Sequence, residues 1–248
     1  MKSMLTMAAS VVLSLFGTIV PARAAEPARP LRIHMISGSG EYKSEPSLTE
    51  FKKFVEEGYR VECTLTLGKD GGADLPGIEA LDRADVLVVF CRRMKPPQEQ
   101  LERVKKWCAA GKPVVGLRTA SHAFQQWLEF DKEVLGGDYR GHKGSEDISV
   151  TPVAANKDHA ILKGVQGWTT KHKTYKNPNI AENDVLLLSD PGQTPALPLA
   201  WCRVYHQPTG GRSFYSSLGA PADFENENFR KLLVSAIFWT ANREVTPK

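Results

Sequence analysis

Several features that identify common functional classes are missing from this chain of 248 residues. Its four cysteines, Cys63, Cys91, Cys108 and Cys202, lack the close, regular spacing of a disulfide framework or a zinc ribbon. The formal charge of +4 is a smaller surplus than nucleic-acid-binding proteins usually carry. No Walker loop, complete dinucleotide fingerprint or HExxH motif occurs. The sequence therefore gives no reason to expect a metal, a nucleotide cofactor or a nucleic acid as a partner.

Long hydrophobic runs are also rare, and the most prominent one lies at the N-terminus. Lys2 precedes an apolar stretch from Val11 to Val20, and Ala22-Arg23-Ala24 has the small residues of a signal-peptide cleavage site. The predicted organisation is a secretory signal over residues 1–24, a disordered lead-in over 25–30, one folded domain over 31–243 and a tail over 244–248. On this interpretation the mature protein is exported to the periplasm or beyond and has no membrane span. The oligomeric state is left open.

The first half of the chain alternates between strand-like and helix-like patterns. Apolar or β-rich runs are predicted as strands over residues 31–36, 59–67, 86–90 and 114–117. Strict alternation in the second of these runs indicates an edge strand, whereas the continuous apolar third and fourth runs indicate burial on both faces. Helices are predicted to begin near Ser47 and Pro97. This strand–helix order predicts a parallel sheet with right-handed crossovers.

The second half has strand patterns separated by irregular segments. Strands are predicted over residues 148–153, 185–188, 199–205 and 213–218. Gly210-Gly211 indicates a hairpin, and a final helix covers 229–240. Residues 171–175 are predicted as a polar loop. The predicted fold class is α/β and flavodoxin-like: a mostly parallel sheet flanked by helices, with a partly antiparallel C-terminal extension.

Candidate site residues follow three of the predicted strands. Ligands of open parallel sheets bind beyond the carboxyl ends of the strands, which here selects residues 37–42, 91–93 and 118–122. The polar or reactive side chains in these segments are Glu41, Tyr42, Cys91, Arg92, Arg93, Arg118, Ser121 and His122. Clustered guanidinium groups favour a carboxylate, a phosphate or a polyhydroxylated ligand. Two alternatives stay open. The arginines could serve only as solvated surface residues or pair with acidic loop residues, and Cys91 could be a reactive thiolate.

The histidines and aromatic residues outside these segments add further candidates. His142 and His172 fall in predicted loops, where sites occur more often than in cores, whereas His34 lies inside a strand and is predicted to be structural. Tyr139 and Tyr175 are predicted to offer flat surfaces to a ligand such as a sugar ring.

Seven stretches of the chain carry a resemblance to a known family. They are residues 41–45, 88–93, 116–124, 135–142, 198–201, 211–219 and 223–226. In order and composition they resemble the ThuA-like (trehalose utilisation) family. The resemblance implies a class I glutamine amidotransferase-like fold without glutaminase activity, and an association with carbohydrates, including keto sugars.

Two positions depart from the pattern that the resemblance implies. The turn Gly116–Ala120 has the strand–turn–helix context of a nucleophile elbow, but Arg118 stands where class I amidotransferases have cysteine. An arginine stays protonated and cannot act as the nucleophile. Many members of the family have histidine at this position, and Gly-His where this chain has Gly219-Ala220. We therefore expect no glutaminase activity.

The leading hypothesis is a protein that binds a carbohydrate or keto-sugar derivative and transforms it by isomerase, lyase or hydrolase chemistry. Glu41 with His122 or His142 is the predicted acid–base pair. Arg118 is predicted to act with Arg92 and Arg93 on developing negative charge. The predicted ligand contacts are Tyr42, Arg92, Arg93, Ser121, Tyr139, His172 and Tyr175. The alternative is a non-catalytic module that binds a carbohydrate or a partner on an amidotransferase-like scaffold.

Overall fold

The computed structural model describes residues 29–180, 183–189 and 196–248. The predicted signal and most of the predicted lead-in lie outside the described residues. Nine strands form one sheet: β1 (Leu31–Gly38), β2 (Val61–Leu67), β3 (Val86–Cys91), β4 (Val114–Leu117), β5 (His142–Pro152), β6 (Trp168–Tyr175), β7 (Asp184–Ser189), β8 (Pro198–His206) and β9 (Gly211–Ser216). The α-helices of the described residues are α1 (Ser44–Gly58), α2 (Gln98–Ala109), α3 (Pro221–Glu225) and α4 (Glu227–Thr240).

The sheet has a parallel half and an antiparallel half. Its strand order is β2-β1-β3-β4-β9-β8-β7-β5-β6. In this order, the four neighbouring pairs β2-β1, β1-β3, β3-β4 and β4-β9 are parallel. The four pairs β9-β8, β8-β7, β7-β5 and β5-β6 are antiparallel. β2 lies at one edge, in agreement with its alternating pattern, and β8 and β9 form the hairpin predicted from Gly210-Gly211. The predicted fold class is confirmed.

Apolar side chains on both faces of the sheet form the core. Leu48, Phe51 and Val55 of α1 pack on one face together with α4. Leu101 and Val104 of α2 pack on the opposite face. Because β3 is covered on both sides, all six of its residues are buried, as its continuous apolar run predicts. Among the described residues, no helix has the length and apolar character that a bilayer crossing requires.

Helix α1 begins three residues before the predicted cap at Ser47. Its first residue is Ser44, and Lys43 in a left-handed conformation precedes it. The Ser44 hydroxyl accepts a hydrogen bond from the backbone N–H of Ser39 at 2.8 Å and bonds the Ser37 hydroxyl at 2.7 Å. This polar connection to the end of β1 fixes where the helix starts, and a pattern of apolar residues does not reveal it.

The predicted polar loop at residues 171–175 is wrong, because these residues belong to β6. β6 pairs with β5 in antiparallel register, with Lys171 opposite Asp147 and Thr170 opposite Ile148. Thr170 and Thr174 lie on one face of β6 and are buried, whereas Lys171 on the other face is exposed, and β6 is the last strand of the sheet. Lysines on the open edge obscure the strand in the sequence, and charged edge residues of this kind also protect a sheet from aggregation.

All four cysteines are buried and none forms a disulfide. Cys91 at the end of β3 is fully buried, and this burial raises the pKa of its thiol well above the ordinary value. A thiol in that environment stays protonated and is a poor nucleophile. The structure therefore does not support the alternative of a reactive Cys91.

His34 is a structural residue, as its place within a strand predicts. It is fully buried in β1, its Nδ1 lies 2.8 Å from the Thr64 hydroxyl, and its Nε2 lies 3.2 Å from the Thr66 hydroxyl. Burial lowers the pKa of His34 from 6.5 to about 4, so the folded protein holds it neutral. The stabilisation from a neutral His34 is complete above the unfolded pKa and is lost as the pH falls through the folded one.

We therefore expect His34→Asn to reduce the acid sensitivity of the fold. Between pH 7 and pH 4.5, the free energy of unfolding of the variant should fall by about 2 kcal/mol less than that of the wild type. Urea unfolding at the two pH values measures this difference. An equal loss in both proteins would mean that His34 is not held neutral.

Candidate functional site

The three segments predicted to share one rim meet at the carboxyl ends of β1, β3 and β4. The backbone N–H of Arg92 donates to the carbonyl of Gly38 at 3.0 Å, and that of Arg93 donates to the carbonyl of His122 at 2.9 Å. Arg93 and Arg118 both have left-handed backbone conformations, with φ of 50° and 51°. The turn at Arg118 thus has the sharp geometry that the elbow-like sequence predicts.

Arg118 points into the protein. Its side chain is 1% exposed, and its Nη1 donates to the carbonyl oxygens of Ser217 and, at 3.3 Å, Lys173. The guanidinium carbon lies 4.1 Å from the ring centre of Tyr42 and 5.1 Å from that of Tyr175. Tyr42 and Tyr175 are themselves buried. These three side chains therefore enclose one another beneath the rim, and the expectation that they contact a ligand stays a prediction.

Glu41 is held by two cations. Its carboxylate lies 3.0 Å from Lys173 Nζ and 3.4 Å from Arg92 Nε, and Arg92 also pairs with Asp70 at 3.2 Å. Partial burial acts to raise the pKa of Glu41, but the hydrogen bond and charge of Lys173, the charge of Arg92 and a hydrogen bond with Tyr42 together lower it below its ordinary value. Glu41 is therefore ionised at neutral pH and is a poor proton donor.

His122 is half-buried at the same rim. Its Nδ1 lies 3.0 Å from the Ser121 hydroxyl, and its ring stacks on that of Tyr139 with centres 4.9 Å apart. Burial, followed by the positive charges of Arg92 and Arg93, lowers the pKa of His122 from 6.5 to about 4. The imidazole is therefore neutral at pH 7 and can accept a proton.

A cavity of about 580 Å³ opens beside His122. Ser121, His122 and Tyr139 are the predicted site residues on its wall. The other residues that line it are Leu128, Glu129, Asp131, Lys132, Glu133, Gly137, Asp138 and Arg140. Leu128 is 58% exposed and forms an apolar part of the cavity wall, whereas Asp131 is 7% exposed. The cavity thus combines one neutral imidazole with buried and exposed carboxyl groups.

Sequence reasoning did not identify Asp131. The residue begins a one-turn helix over Asp131–Leu135, and its carboxyl Oδ2 accepts a hydrogen bond from the backbone N–H of Tyr139 at 3.0 Å. Burial, the larger effect, raises the pKa of Asp131 to about 7. In the sequence Asp131 stands beside Lys132 and Glu133 and looks like part of a solvated surface. In the sequence, only the glycine pair at 136 and 137 indicates that the backbone passes close to the Asp131 side chain.

The remaining predicted residues do not join the cavity wall. Arg93 is exposed at the rim. His142 is exposed at the start of β5, where its Nδ1 lies 2.8 Å from the carbonyl of Lys143. His172 lies within β6 and pairs in register with Glu146, and its side chain is not among the described groups. Within the described residues, no cluster of three or more histidine, cysteine or acidic side chains is arranged to hold a metal ion.

Comparison with known proteins identifies a family and a set of similar folds. A family model described as ThuA, trehalose utilisation, matches residues 32–240. A comparison with curated proteins gives no match. A solved ThuA-like protein from Parabacteroides merdae has a TM-score of 0.67 at 17% identity, covering 89% of this chain and 93% of that one.

Two further solved structures extend the comparison. A ThuA-like protein from Bacteroides uniformis has a TM-score of 0.63 at 19% identity and covers 89% of this chain and 95% of its own. PurLQS from Thermotoga maritima has a TM-score of 0.51 at 11% identity, with 86% and 99% covered. At these identities the structural likeness shows a shared fold.

Proposed function

The chain belongs to the ThuA family, and from this premise we propose that it binds a carbohydrate or keto-sugar derivative in the cavity beside His122 and transforms it by acid–base chemistry. The observation that carries the proposal is a neutral, half-buried imidazole on the wall of a cavity of about 580 Å³. That volume is within the range of small-molecule sites, which is roughly 300–1,000 Å³. A histidine held neutral at pH 7 is suited to accept a proton.

The charges around the cavity favour an uncharged ligand over an anionic one. Four acidic residues and two basic ones line the wall, and Arg140 is paired with Asp138 at 2.6 Å. A phosphorylated or carboxylated ligand would meet this excess of carboxyl groups and be repelled. A neutral polyhydroxylated ligand can instead hydrogen bond to both signs of charge, and it can pack against the half-buried ring of Tyr139.

His122 is the proposed proton acceptor. Because Nδ1 is engaged with Ser121, Nε2 is the ring nitrogen left for the ligand. In a keto sugar it would remove the proton from the carbon next to the carbonyl group, and the carbonyl oxygen would receive the developing negative charge. Glu41, held ionised by Lys173 and Arg92, is proposed to fix these cations at the rim rather than to donate a proton.

Turnover of a keto-glycoside in D2O tests the proposal. The purified protein is mixed with a methyl keto-glucoside, and NMR follows deuterium incorporation at carbon and formation of product. We expect both to depend on the protein, and we expect an unoxidised disaccharide to remain unchanged. Binding without exchange or product would instead support the non-catalytic alternative, and absence of binding would contradict a carbohydrate ligand, whether transformed or only bound.

We also propose that the protein is exported and functions outside the cytoplasm. The proposal is supported by Lys2, the apolar run and the small residues around Ala24. N-terminal sequencing of protein purified from a host that processes such signals is expected to begin near residue 25. A cytoplasmic product that retains residues 1–24 would contradict it.

A further inference from the structure

Two hydroxyl groups lie between the ring of His122 and the backbone of the turn that follows β4. The phenol of Tyr215, on β9, donates a hydrogen bond to the carbonyl oxygen of Arg118 at 2.7 Å. The same phenol is hydrogen bonded to the hydroxyl of Ser121, and the Ser121 oxygen lies 3.0 Å from Nδ1 of His122. Three successive contacts therefore connect the imidazole to a backbone carbonyl through Ser121 and Tyr215.

The two residues between the imidazole and the carbonyl are buried and tightly packed. Tyr215 is fully buried and Ser121 is 5% exposed, so water competes little for their hydrogen bonds. The ring of Tyr215 packs against that of Trp201, with centres 4.6 Å apart. On its other side β4 has glycine at position 116, where a Cβ atom would come within 3.2 Å of the Tyr215 ring. This packing holds the phenol oxygen in one place.

The carbonyl at the end of the chain of contacts sets the direction of each hydrogen bond. A backbone carbonyl oxygen can only accept, so the single hydrogen of the Tyr215 phenol is used on Arg118. The Tyr215 oxygen then accepts from the Ser121 hydroxyl, because two hydroxyl oxygens cannot bond without a hydrogen between them. With its own hydrogen used, the Ser121 oxygen accepts from the imidazole. In the neutral ring this requires the hydrogen to be on Nδ1.

The second ring nitrogen, Nε2, is then the one with the free lone pair. It has no hydrogen-bond partner among the described residues, and it is not one of the unpartnered side-chain atoms that are closed off from solvent. Because His122 lies on the wall of the cavity, Nε2 is accessible to a ligand there. The opposite tautomer would present an N–H at this position, which can donate a hydrogen bond but cannot accept a proton.

We propose that Tyr215 is a positioning residue, which acts through Ser121 to hold His122 in the tautomer whose Nε2 accepts a proton. This inference rests on the proposed function and deepens it, because it assigns a role to a buried residue that is not among the predicted site residues. In the opposite tautomer the single hydrogen of Ser121 would face two acceptors, Nδ1 and the Tyr215 oxygen. One buried hydrogen bond would be lost, which is enough to favour the first tautomer about tenfold.

The proton transfer balances without moving any hydrogen of the chain of contacts. Nε2 takes the proton from the carbon next to the carbonyl of a keto sugar, and the electrons of that C–H bond form a carbon–carbon double bond. The carbonyl π electrons move to the oxygen, which becomes an enolate. His122 is then an imidazolium that still donates from Nδ1 to Ser121. Return of a proton, or of a deuteron from D2O, to the carbon restores the neutral imidazole and the keto sugar.

The test uses Tyr215→Phe in the full chain, with Tyr205→Phe as the matched control. Tyr205, on β8, also donates its phenol to a backbone carbonyl, that of Lys112, but it lies at the end of the sheet opposite the rim. Each variant therefore loses one hydroxyl and one hydrogen bond to a carbonyl, and only Tyr215→Phe changes the contacts of Ser121.

Histidine 15N NMR of the free protein at pH 7 reports the tautomer directly. In the wild type we expect Nδ1 of His122 to have the shift of a protonated ring nitrogen and Nε2 that of an unprotonated one. In Tyr215→Phe the hydrogen of Ser121 becomes available to Nδ1, so both shifts should move toward the opposite tautomer. Ser121→Ala interrupts the contacts at the next position and should also remove the preference. Tyr205→Phe should give the wild-type shifts.

Steady-state rates show whether the tautomer matters for the chemical step. If the competent tautomer falls to about a tenth of its population, kcat for the methyl keto-glucoside falls about tenfold. We expect this loss in Tyr215→Phe, with KM within a few-fold of the wild-type value, because the phenol does not contact the cavity. Tyr205→Phe should keep the wild-type kcat.

The outcomes separate this inference from the proposed function, because the tautomer is measured without substrate. A wild-type His122 with its hydrogen on Nε2 overturns the inference, whether or not the sugar is turned over. Unchanged 15N shifts in Tyr215→Phe also overturn it, as does an unchanged kcat of this variant beside a wild type that turns over the sugar. The expected tautomer in a wild type that does not act on the sugar supports the hydrogen-bond assignment and contradicts only the proposed function.

Discussion

Replacing His122 with asparagine is expected to lower kcat for the methyl keto-glucoside about a thousandfold while KM stays within a few-fold of the wild-type value. Asparagine retains a polar group that can reach the Ser121 hydroxyl, which lies 3.0 Å from Nδ1 in the wild type. It has no counterpart of Nε2. The variant therefore removes the proposed proton acceptor and preserves its local anchor, so the loss should fall on the chemical step.

The pH profile of the wild type gives a second expected result for His122. Because burial lowers the pKa of this imidazole to about 4, the rate should hold between pH 6.5 and pH 5 and decline only as the pH approaches 4. An exposed histidine would instead give a decline near its ordinary pKa of about 6.5. Steady-state rates from pH 4 to pH 8 distinguish the two.

His206 supplies a matched control for this experiment. It pairs with Gly211 at the end of the sheet opposite the rim, so His206→Asn should leave kcat unchanged. His142→Asn decides between the two histidines that the sequence leaves open. A large loss of kcat in His142→Asn, together with a normal rate in His122→Asn, would contradict the assignment of the proton acceptor.

Replacing Arg118 with methionine is expected to lower the free energy of unfolding by about 2–4 kcal/mol. Methionine fills much of the space but donates no hydrogen bond, so the carbonyl oxygens of Ser217 and Lys173 lose their contacts with Nη1. The contacts of the guanidinium with the rings of Tyr42 and Tyr175 are also lost. Removal of a buried cation offsets part of the cost, but the lost hydrogen bonds to the two carbonyl groups and the lost ring contacts outweigh it.

Urea unfolding measures this effect, with Arg83→Met at an exposed position as the control. Arg118→Lys should recover only part of the loss, because an ammonium group lacks the planar set of donors that contacts two carbonyls and two rings. A stability of Arg118→Met equal to that of the wild type would show that the guanidinium does not hold the rim together.

The sequence predicts the architecture well wherever burial and polarity follow a regular period. The continuous apolar runs of β3 and β4 and the alternation of β2 give both the strands and their places in the sheet. Prediction from the sequence fails where a single polar contact determines the boundary of an element. Ser44 is an example, because its hydroxyl bonds to the chain at the end of β1 and the residue is the first of α1. Prediction also fails at β6, where Lys171 and Lys173 disguise an edge strand.

The candidate site could be predicted only in part, for a related reason. Strand order places the segments of Glu41, Arg92 and His122 at one rim, and this follows from the parallel fold. The direction of a side chain does not follow from strand order. Arginine is rarely buried, so nothing in the sequence indicates that Arg118 turns inward, and nothing separates Asp131 from the charged residues beside it.

A histidine-selective NMR titration with the methyl keto-glucoside tests most directly whether the ligand binds in this cavity. The ring signal of His122 is expected to shift and saturate as the sugar is added, because this imidazole lies on the cavity wall. The signals of His142 and His206 should stay in place and serve as internal controls. A titration in which His122 does not respond, or in which His142 alone responds, would contradict the proposed site.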